Sequence, residues 1–126
     1  MANQVVHFEL PVDNPERAQA FYRDAFGWAM NPVPGMDYVT IETTPTDERG
    51  QPTQPGAVNG GMFLRQQLMG TPIITIQVDD VDQVLEQVER LGGAVVQTRR
   101  KVGGMGYTGY FSDPEGNILG LWQDAG

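Results

Sequence analysis

Residues 5–14 read V-V-H-F-E-L-P-V-D-N, and residues 71–80 read T-P-I-I-T-I-Q-V-D-D. An offset of 66 residues places Val12 on Val78 and Asp13 on Asp79. Each stretch has the apolar content of a strand followed by an acidic turn, and each precedes an amphipathic helix, a glycine and three more strand candidates. The sequence therefore predicts an α+β fold of two tandem βαβββ units. Unit one covers about residues 4–65 and unit two about residues 71–123, within one domain over residues 1–126.

The helix of each unit is predicted from its capping residues and its apolar stripe. Asn14 is expected to cap the first helix, Pro15 to occupy its first turn and Gly27 to end it. Asp79 or Asp80 is expected to cap the second helix. The apolar residues at helical spacing, which we expect in the core, are Ala18, Phe21, Tyr22 and Phe26 in the first helix and Val81, Val84, Leu85, Val88 and Leu91 in the second.

The remaining segments are predicted as strands, one long loop and one tight turn. The strand candidates are Trp28–Asn31, Met36–Thr43, Gly60–Arg65, Ala94–Lys101, Gly106–Ser112 and Ile118–Gln123. The segment Thr44–Asn59 is rich in proline, glycine and polar residues and is predicted to be a loop, either a flap over a ligand or a mobile insertion. The sequence D-P-E-G-N at residues 113–117 predicts a tight turn in which Gly116 adopts positive φ.

The composition limits the kinds of ligand and partner that the protein can bind. The formal charge of −8 argues against nucleic acid, and it suits a cationic ligand as well as simple solubility. The absence of cysteine excludes disulfides and thiolate chemistry. The apolar runs are too short to cross a bilayer, and the first residues do not have the pattern of a signal peptide. We therefore expect a cytoplasmic protein with no membrane partner.

Three stretches together resemble the vicinal oxygen chelate superfamily, the group of glyoxalase I, bleomycin-resistance proteins and extradiol dioxygenases. They are V-H-F-E-L-P-V-D-N-P-E-R-A-Q-A-F-Y-R-D-A-F-G-W at residues 6–28, V-D-D-V-D with L-G-G at residues 78–93, and F-S-D-P-E-G-N-I-L-G-L-W at residues 111–122. The resemblance implies curved mixed sheets around a cleft, a small-molecule ligand and a homodimer. It also implies that a divalent metal, where present, is held by one residue from the first and last strand of each unit.

Strand alternation tests the first half of that metal site. Phe8 and Leu10 are expected to face the helix, which leaves His7 and Glu9 toward the cleft. His7, the only histidine of the chain, falls on the superfamily's first ligand position. The last strand of unit one, N-G-G-M-F-L-R at residues 59–65, has no carboxylate for the next position.

The second half of the metal site is also incomplete. The 66-residue offset carries His7 onto Ile73, which cannot bind a metal. In the final strand, Leu119, Leu121 and Gln123 are predicted to face the cleft, with Gln123 in place of the last glutamate. His7 and Gln123 are thus two ligands of an expected four, and a tightly bound divalent metal is disfavoured.

The predicted ligand contacts follow from the same alternation. They are Glu9, Thr75, Gln77, Gln123 and either Tyr107 or Tyr110. His7 is interpreted as a hydrogen-bonded cleft residue, as a hydrogen-bond partner of the substrate, or as a general base. The resemblance then implies a glyoxalase-like small-molecule enzyme, of lyase, isomerase or dioxygenase type, or a ligand-binding protein. A metal-free drug-sequestering protein that resembles the bleomycin-resistance proteins is the alternative.

Overall fold

A computed structural model describes residues 2–126 and divides them into two compact units, each with four strands and one helix. The N-terminal unit is His7–Pro72, and the C-terminal unit is Ile73–Gly126 together with residues 2–6. The predicted α+β fold with two βαβββ units is confirmed. The boundary between the two units falls after Pro72.

The N-terminal unit is a mixed sheet with one helix. Its elements are β1 (Val5–Val12, of which His7 onward belongs to this unit), α1 (Pro15–Phe26), β2 (Ala29–Pro32), β3 (Tyr38–Glu42) and β4 (Asn59–Leu64). The strand order is β2-β3-β4-β1. The β1–β4 pair is parallel, and the β3–β4 and β2–β3 pairs are antiparallel.

The C-terminal unit repeats this plan. Its elements are β5 (Ile73–Gln77), α2 (Val81–Arg90), β6 (Ala94–Val102), β7 (Gly106–Ser112) and β8 (Ile118–Asp124). The strand order is β5-β8-β7-β6, again with one parallel pair, β5–β8. The backbone N–H of Gln77 donates to the Gln4 carbonyl at 2.9 Å, which joins residues 2–6 to this unit.

The predicted helix caps are confirmed. The Asn14 side chain accepts a hydrogen bond from the Arg17 N–H at 3.0 Å, and Gly27 ends α1 at φ 74°. Of the two aspartates proposed for the second helix, Asp80 is the cap, because its side chain accepts from the Gln83 N–H at 3.1 Å. No helix in residues 2–126 combines the length and the apolar content that a transmembrane span requires.

The apolar stripes form the cores only in part. Ala18 and Tyr22 pack on the N-terminal core, but Phe21 is 59% exposed and Phe26 is 63% exposed. The prediction that both lie in the core is wrong. The aromatic residues that pack on this core are Phe8, Tyr22 and Trp28, and the rings of Tyr22 and Trp28 stack with centroids 5.1 Å apart. In α2, Val81 and Leu85 are buried as predicted. The predicted core residue Leu91 lies past the end of the helix and is 72% exposed.

Candidate functional site

The sheet of the N-terminal unit has one face toward α1 and one polar face. Phe8 and Leu10 pack against the core under α1, so His7 and Glu9 project from the opposite face, as the sequence predicts. Residues directly opposite each other in neighbouring strands share a face. The strand registers therefore add Tyr38, Thr40, Asn59, Gly61 and Phe63 to the same side. We call this surface the polar face.

His7 and Tyr38 form a hydrogen-bonded pair on the polar face. His7 Nε2 lies 3.0 Å from Tyr38 Oη, and both side chains are half-buried. A Cβ on Gly61 would overlap the Tyr38 ring and hydroxyl, so the glycine makes room for the tyrosine to reach His7. Sequence reasoning misses Tyr38, although the alternation of Y-V-T-I-E at residues 38–42 places it opposite the apolar Val39.

The environment of His7 fixes its charge. Burial lowers the pKa of His7 from its usual 6.5 to about 4, because the charged imidazolium loses its hydration. The ring is therefore neutral at pH 7, with one nitrogen as a donor and the other as an acceptor. Glu9, two residues further along β1, is only 6% exposed. The polar face thus combines a neutral imidazole, a phenol and a buried carboxyl group.

Asn59 connects the polar face to the long loop at residues 44–59. Its Oδ1 accepts from the Thr43 N–H at 2.9 Å, and its Nδ2 donates to the Thr46 hydroxyl at 2.9 Å. Within the loop, the Asp47 carboxylate accepts from the N–H groups of Arg49 and Gln51, each at 2.9 Å. The segment is thus internally hydrogen-bonded, and its two ends are held together by one side chain. A role as a ligand cover stays a prediction.

In the C-terminal unit, the corresponding sheet face carries less polar chemistry. Ile73, Thr75 and Gln77 share this face, as the sequence predicts. Thr75 is 5% exposed and pairs with Gly120, where a Cβ would lie 2.9 Å from the Thr75 hydroxyl oxygen. The Gln77 amide donates to Asp124 at 2.8 Å.

Gln123 faces the helix, contrary to the prediction. Leu121 packs in the core with Val81, and Gln123, on the same face of β8, accepts a hydrogen bond from the Val81 N–H at 2.9 Å. That N–H is at the first position of α2, where a backbone donor has no partner inside the helix. The predicted orientation of Leu119, Leu121 and Gln123 is therefore wrong. Thr75 pairs with Gly120 and Gln77 with Trp122, so it is the even-numbered positions of β8 that share the face of Thr75, and the odd-numbered positions face α2. The Gln123 carbonyl caps a helix and does not project from the face that carries Thr75.

The predicted ligand contact Tyr107 also lies on the helix side. Its ring packs against the core that contains Leu121, and the Arg99 guanidinium lies over it, 4.7 Å from the ring centroid. Tyr110, the other tyrosine considered, is on the face of Thr75 and is 8% exposed. Of the two candidates, the structure therefore assigns Tyr110 and not Tyr107 to that face.

The donor set does not fit a tightly held divalent metal. Residues 2–126 contain no group of three or more histidine, aspartate or glutamate side chains placed to hold an ion. The position of β8 that pairs with Thr75 is Gly120, which has no side chain to donate. His7 is the one imidazole of the chain, and most protein sites for transition metals use three or four protein ligands.

The D-P-E-G-N sequence forms the predicted turn. The Asp113 carboxylate accepts from the N–H groups of Glu115 and Asn117 at 2.8 and 2.9 Å, and Gly116 has φ 85°. The side-chain amide of Asn117 donates to Asp113 as well, which lowers the pKa of that carboxyl below its usual value. Asp113 therefore has a structural role in the turn.

Comparison with known proteins agrees with this geometry. A family model described as bleomycin resistance protein-like N-terminal matches residues 4–44. The proteins named "Putative glyoxylase CFP32" of Mycobacterium tuberculosis and Mycobacterium bovis are 34% identical over an alignment of 122 residues that covers 91% of this chain. All of these fit the vicinal oxygen chelate superfamily. The resemblance predicted from the sequence is confirmed. The chain spans 43% of the length of these curated relatives.

Solved structures share the fold at low sequence identity. Methylmalonyl-CoA epimerase of Mycobacterium tuberculosis aligns with a TM-score of 0.63 and 14% identity, over 97% of this chain and 88% of the epimerase. A hypothetical protein of Bacillus halodurans aligns with a TM-score of 0.66 and 12% identity, over 98% and 96% of the two chains. A variant of the Streptomyces coelicolor epimerase, in complex with 2-nitronate-propionyl-CoA, gives 0.65 and 15% over 99% and 96%. At this identity the likeness establishes the fold alone.

Proposed function

We propose that this glyoxalase-like chain binds a small organic molecule on the polar face of the N-terminal unit. The observation that carries the proposal is the 3.0 Å contact between His7 Nε2 and Tyr38 Oη. Ligand sites typically combine apolar walls with a few polar groups that fix the orientation of the ligand. The His7–Tyr38 pair, with Phe63 on the same face, has this character.

The protonation state of His7 favours a hydrogen-bonding role. With a pKa of about 4, the ring stays neutral at physiological pH and can present one lone pair or one N–H. A base with such a low pKa is a poor acceptor of a proton from carbon near pH 7, since efficient general bases have a pKa close to the operating pH. Of the roles considered for His7, the hydrogen-bond partner of a ligand is therefore the one we propose.

We also propose that ligand binding does not depend on a tightly held divalent metal. Two features support this part: no triad of metal-ligating side chains occurs in residues 2–126, and the Gln123 carbonyl is engaged by the Val81 N–H. The metal content of purified protein, measured by mass spectrometry, is then expected to be far below one equivalent. Stoichiometric metal that disappears on His7→Ala would overturn this part of the proposal.

Ligand-induced thermal shifts test the binding site. Suitable probes are the hemithioacetal of methylglyoxal, catechol and methylmalonyl-CoA, the last because structural neighbours are epimerases of that ester. For any probe that raises the Tm, the shift should disappear in His7→Ala and fall in Tyr38→Phe. Tyr107→Phe is the matched control, because it removes the same hydroxyl from a ring on the helix side of the C-terminal unit. A ligand shift that survives unchanged in His7→Ala would place the site elsewhere.

A second candidate is turnover of the bound molecule by lyase or isomerase chemistry. The observation that favours it is the 34% identity to relatives named as glyoxylases, over 91% of this chain. Incubation of each probe with the protein, followed by proton NMR, separates the two candidates: binding without new signals supports a binding protein, and catalytic conversion lost in His7→Ala supports an enzyme. The homodimer implied by the resemblance is part of the proposal and is tested by sedimentation velocity.

A further inference from the structure

A pocket of about 200 Å³ lies in the N-terminal unit, beside the first turn of α1. It is formed by the first turn of α1, the connection between β2 and β3, and the end of β4. Its apolar lining residues include Met36 on the β2–β3 connection and Val12, Val39 and Met62 from the core under α1. Met36 is 50% exposed and Met62 is 1% exposed, so the pocket has an apolar floor and an uncovered apolar side. Covering this surface would stabilise a complex, since buried apolar area is favourable.

Two carboxylates flank the apolar walls. Glu16 comes from the first turn of α1, and Asp37 comes from the β2–β3 connection. Neither has an ion pair or hydrogen-bond partner among the residues that the structure describes. No lysine or arginine lines the pocket, and the whole chain has a formal charge of −8. The electrostatic potential at the pocket is therefore negative and attracts cations.

The N-terminus of α1 lies next to the pocket, but it does not make the pocket attractive to anions. An N-terminus attracts anions through its free N–H groups and its dipole. In α1 the protein itself satisfies that demand, because Asn14 accepts from the Arg17 N–H and Glu16 supplies a negative charge in the first turn. Pro15, at the first helical position, has no N–H to offer. An incoming anion would meet two carboxylates and few free donors.

We propose that this pocket binds a small organic ammonium ion with a compact apolar body. The apolar part would cover Met36 and Val12, and the ammonium would lie between Glu16 and Asp37. The site is separate from the proposed ligand site, because Glu16 belongs to α1 and Met62 to the core under α1, whereas His7 projects from the opposite face of the sheet.

Isothermal titration with 2-phenylethylammonium tests the proposal at pH 7 and low salt. We expect a Kd in the millimolar range, as befits a ligand of this size. The neutral 2-phenylethanol should bind at least about fivefold more weakly, and binding of the ammonium should weaken as salt is added. Amide signals of Met36 and Asp37 should move in NMR spectra. Equal affinity for the two compounds, or no binding of the ammonium to folded protein, would overturn the proposal.

A pair of charge-neutralising variants supplies the matched comparison. Glu16→Gln with Asp37→Asn should weaken ammonium binding by about five- to tenfold, the effect of two partly exposed charges. Glu86→Gln with Glu89→Gln removes the same charge from α2 and should leave the affinity unchanged. Equal losses in both pairs would mean attraction by net charge alone and would contradict a pocket. The neutral alcohol and the salt series need no variant, so they decide the matter even where a variant unfolds.

One further variant separates this site from the proposed function. His7→Asn should keep the affinity for 2-phenylethylammonium, since His7 does not line the pocket. It should impair ligand binding on the polar face. Failure of the ammonium test with intact polar-face binding would reject the pocket alone, and the reverse result would reject the polar face alone.

Discussion

The two units have the same order of elements and different chemistry on the sheet face that lies opposite the helix. In the N-terminal unit, Glu9 pairs with Gly61, and His7 reaches Tyr38. At the matching strand positions of the C-terminal unit, Thr75 pairs with Gly120, and Ile73 stands where His7 would be. The repeat therefore preserves backbone and glycine positions, whereas the histidine and the buried glutamate of this face occur in one half. A duplicated fold can thus confine a candidate site to one of its copies.

The helices differ in how deeply they pack, and this gives the largest expected effect. Leu85 of α2 is 5% exposed, whereas Phe21 of α1 is 59% exposed. Leu85→Ala should lower the free energy of unfolding by about 3 to 4 kcal/mol, because it leaves a cavity. Phe21→Ala should cost less than about 1 kcal/mol. Urea denaturation of both variants measures the difference, and equal costs would show that α1 is packed as tightly as α2.

Substitution of a strand glycine should show the opposite contrast, with the larger loss of stability in the N-terminal unit. Gly61→Ala forces the Tyr38 ring to move and should cost about 2 to 3 kcal/mol, together with the His7 contact. At Gly120 the nearest atom to a new Cβ is the Thr75 hydroxyl at 2.9 Å, so Gly120→Ala should cost about 1 kcal/mol. Thermal denaturation ranks the two variants. A Gly120 variant as unstable as the Gly61 variant would remove this contrast between the units.

The lowered pKa of His7 predicts a pH dependence that originates in the N-terminal unit. The unfolded chain takes up a proton near pH 6.5, whereas the folded chain does so only near pH 4. Stability is thus fully present above about pH 6.5 and is lost as pH falls toward 4. Between pH 7.5 and 5 the loss should be about 2 kcal/mol.

Urea denaturation at the two pH values measures this loss, with His7→Asn as the control. The variant has no titrating group at this position and should lose much less stability between pH 7.5 and 5. The lowered pKa of Asp113 acts at lower pH, below the usual value of 3.8, and so lies outside this window. Equal slopes in both proteins would show that His7 is not the titrating group.

The smallest expected effect concerns the first turn of each helix. The first residue of α1 is Pro15, which has no N–H, and the residue 66 positions later is Val81, whose N–H donates to Gln123. Gln123→Met should therefore cost about 1 kcal/mol. In a Val81→Pro background the same change should cost close to nothing, because the donor is gone. A double-mutant cycle measures the coupling between the two residues, and additive costs would disprove the capping role.

Strands β1 and β8 show when the sequence predicts which side of the sheet a side chain faces and when it does not. In V-H-F-E-L the apolar and polar residues alternate cleanly, so the sides of His7 and Glu9 follow directly. In I-L-G-L-W-Q both alternating sets are apolar, and only Gln123 indicates a side. That residue points to the helix because it satisfies the Val81 N–H, a tertiary demand that strand alternation does not contain.

Only part of the His7–Tyr38 arrangement can be predicted from the sequence. Alternation gives the side of each residue, but their contact depends on the register of β3, β4 and β1, which is a long-range property. The vacant space over Gly61 is likewise invisible until those strands are paired. The caps at Asn14 and Gly27 are local, and for that reason they were predictable residue by residue.

The closure of the β3–β4 connection by Asn59 has a practical consequence for protein engineering. The Asn59 side-chain amide forms hydrogen bonds with both Thr43 and Thr46. These bonds hold the end of β3 next to the start of β4 at the base of the loop, and they do not involve the tip of the loop. The exposed tip at residues 48–50 can therefore accept a grafted peptide tag or epitope with little strain on the sheet. The chain thereby offers a ready display scaffold whose attachment point and polar face lie in the same unit.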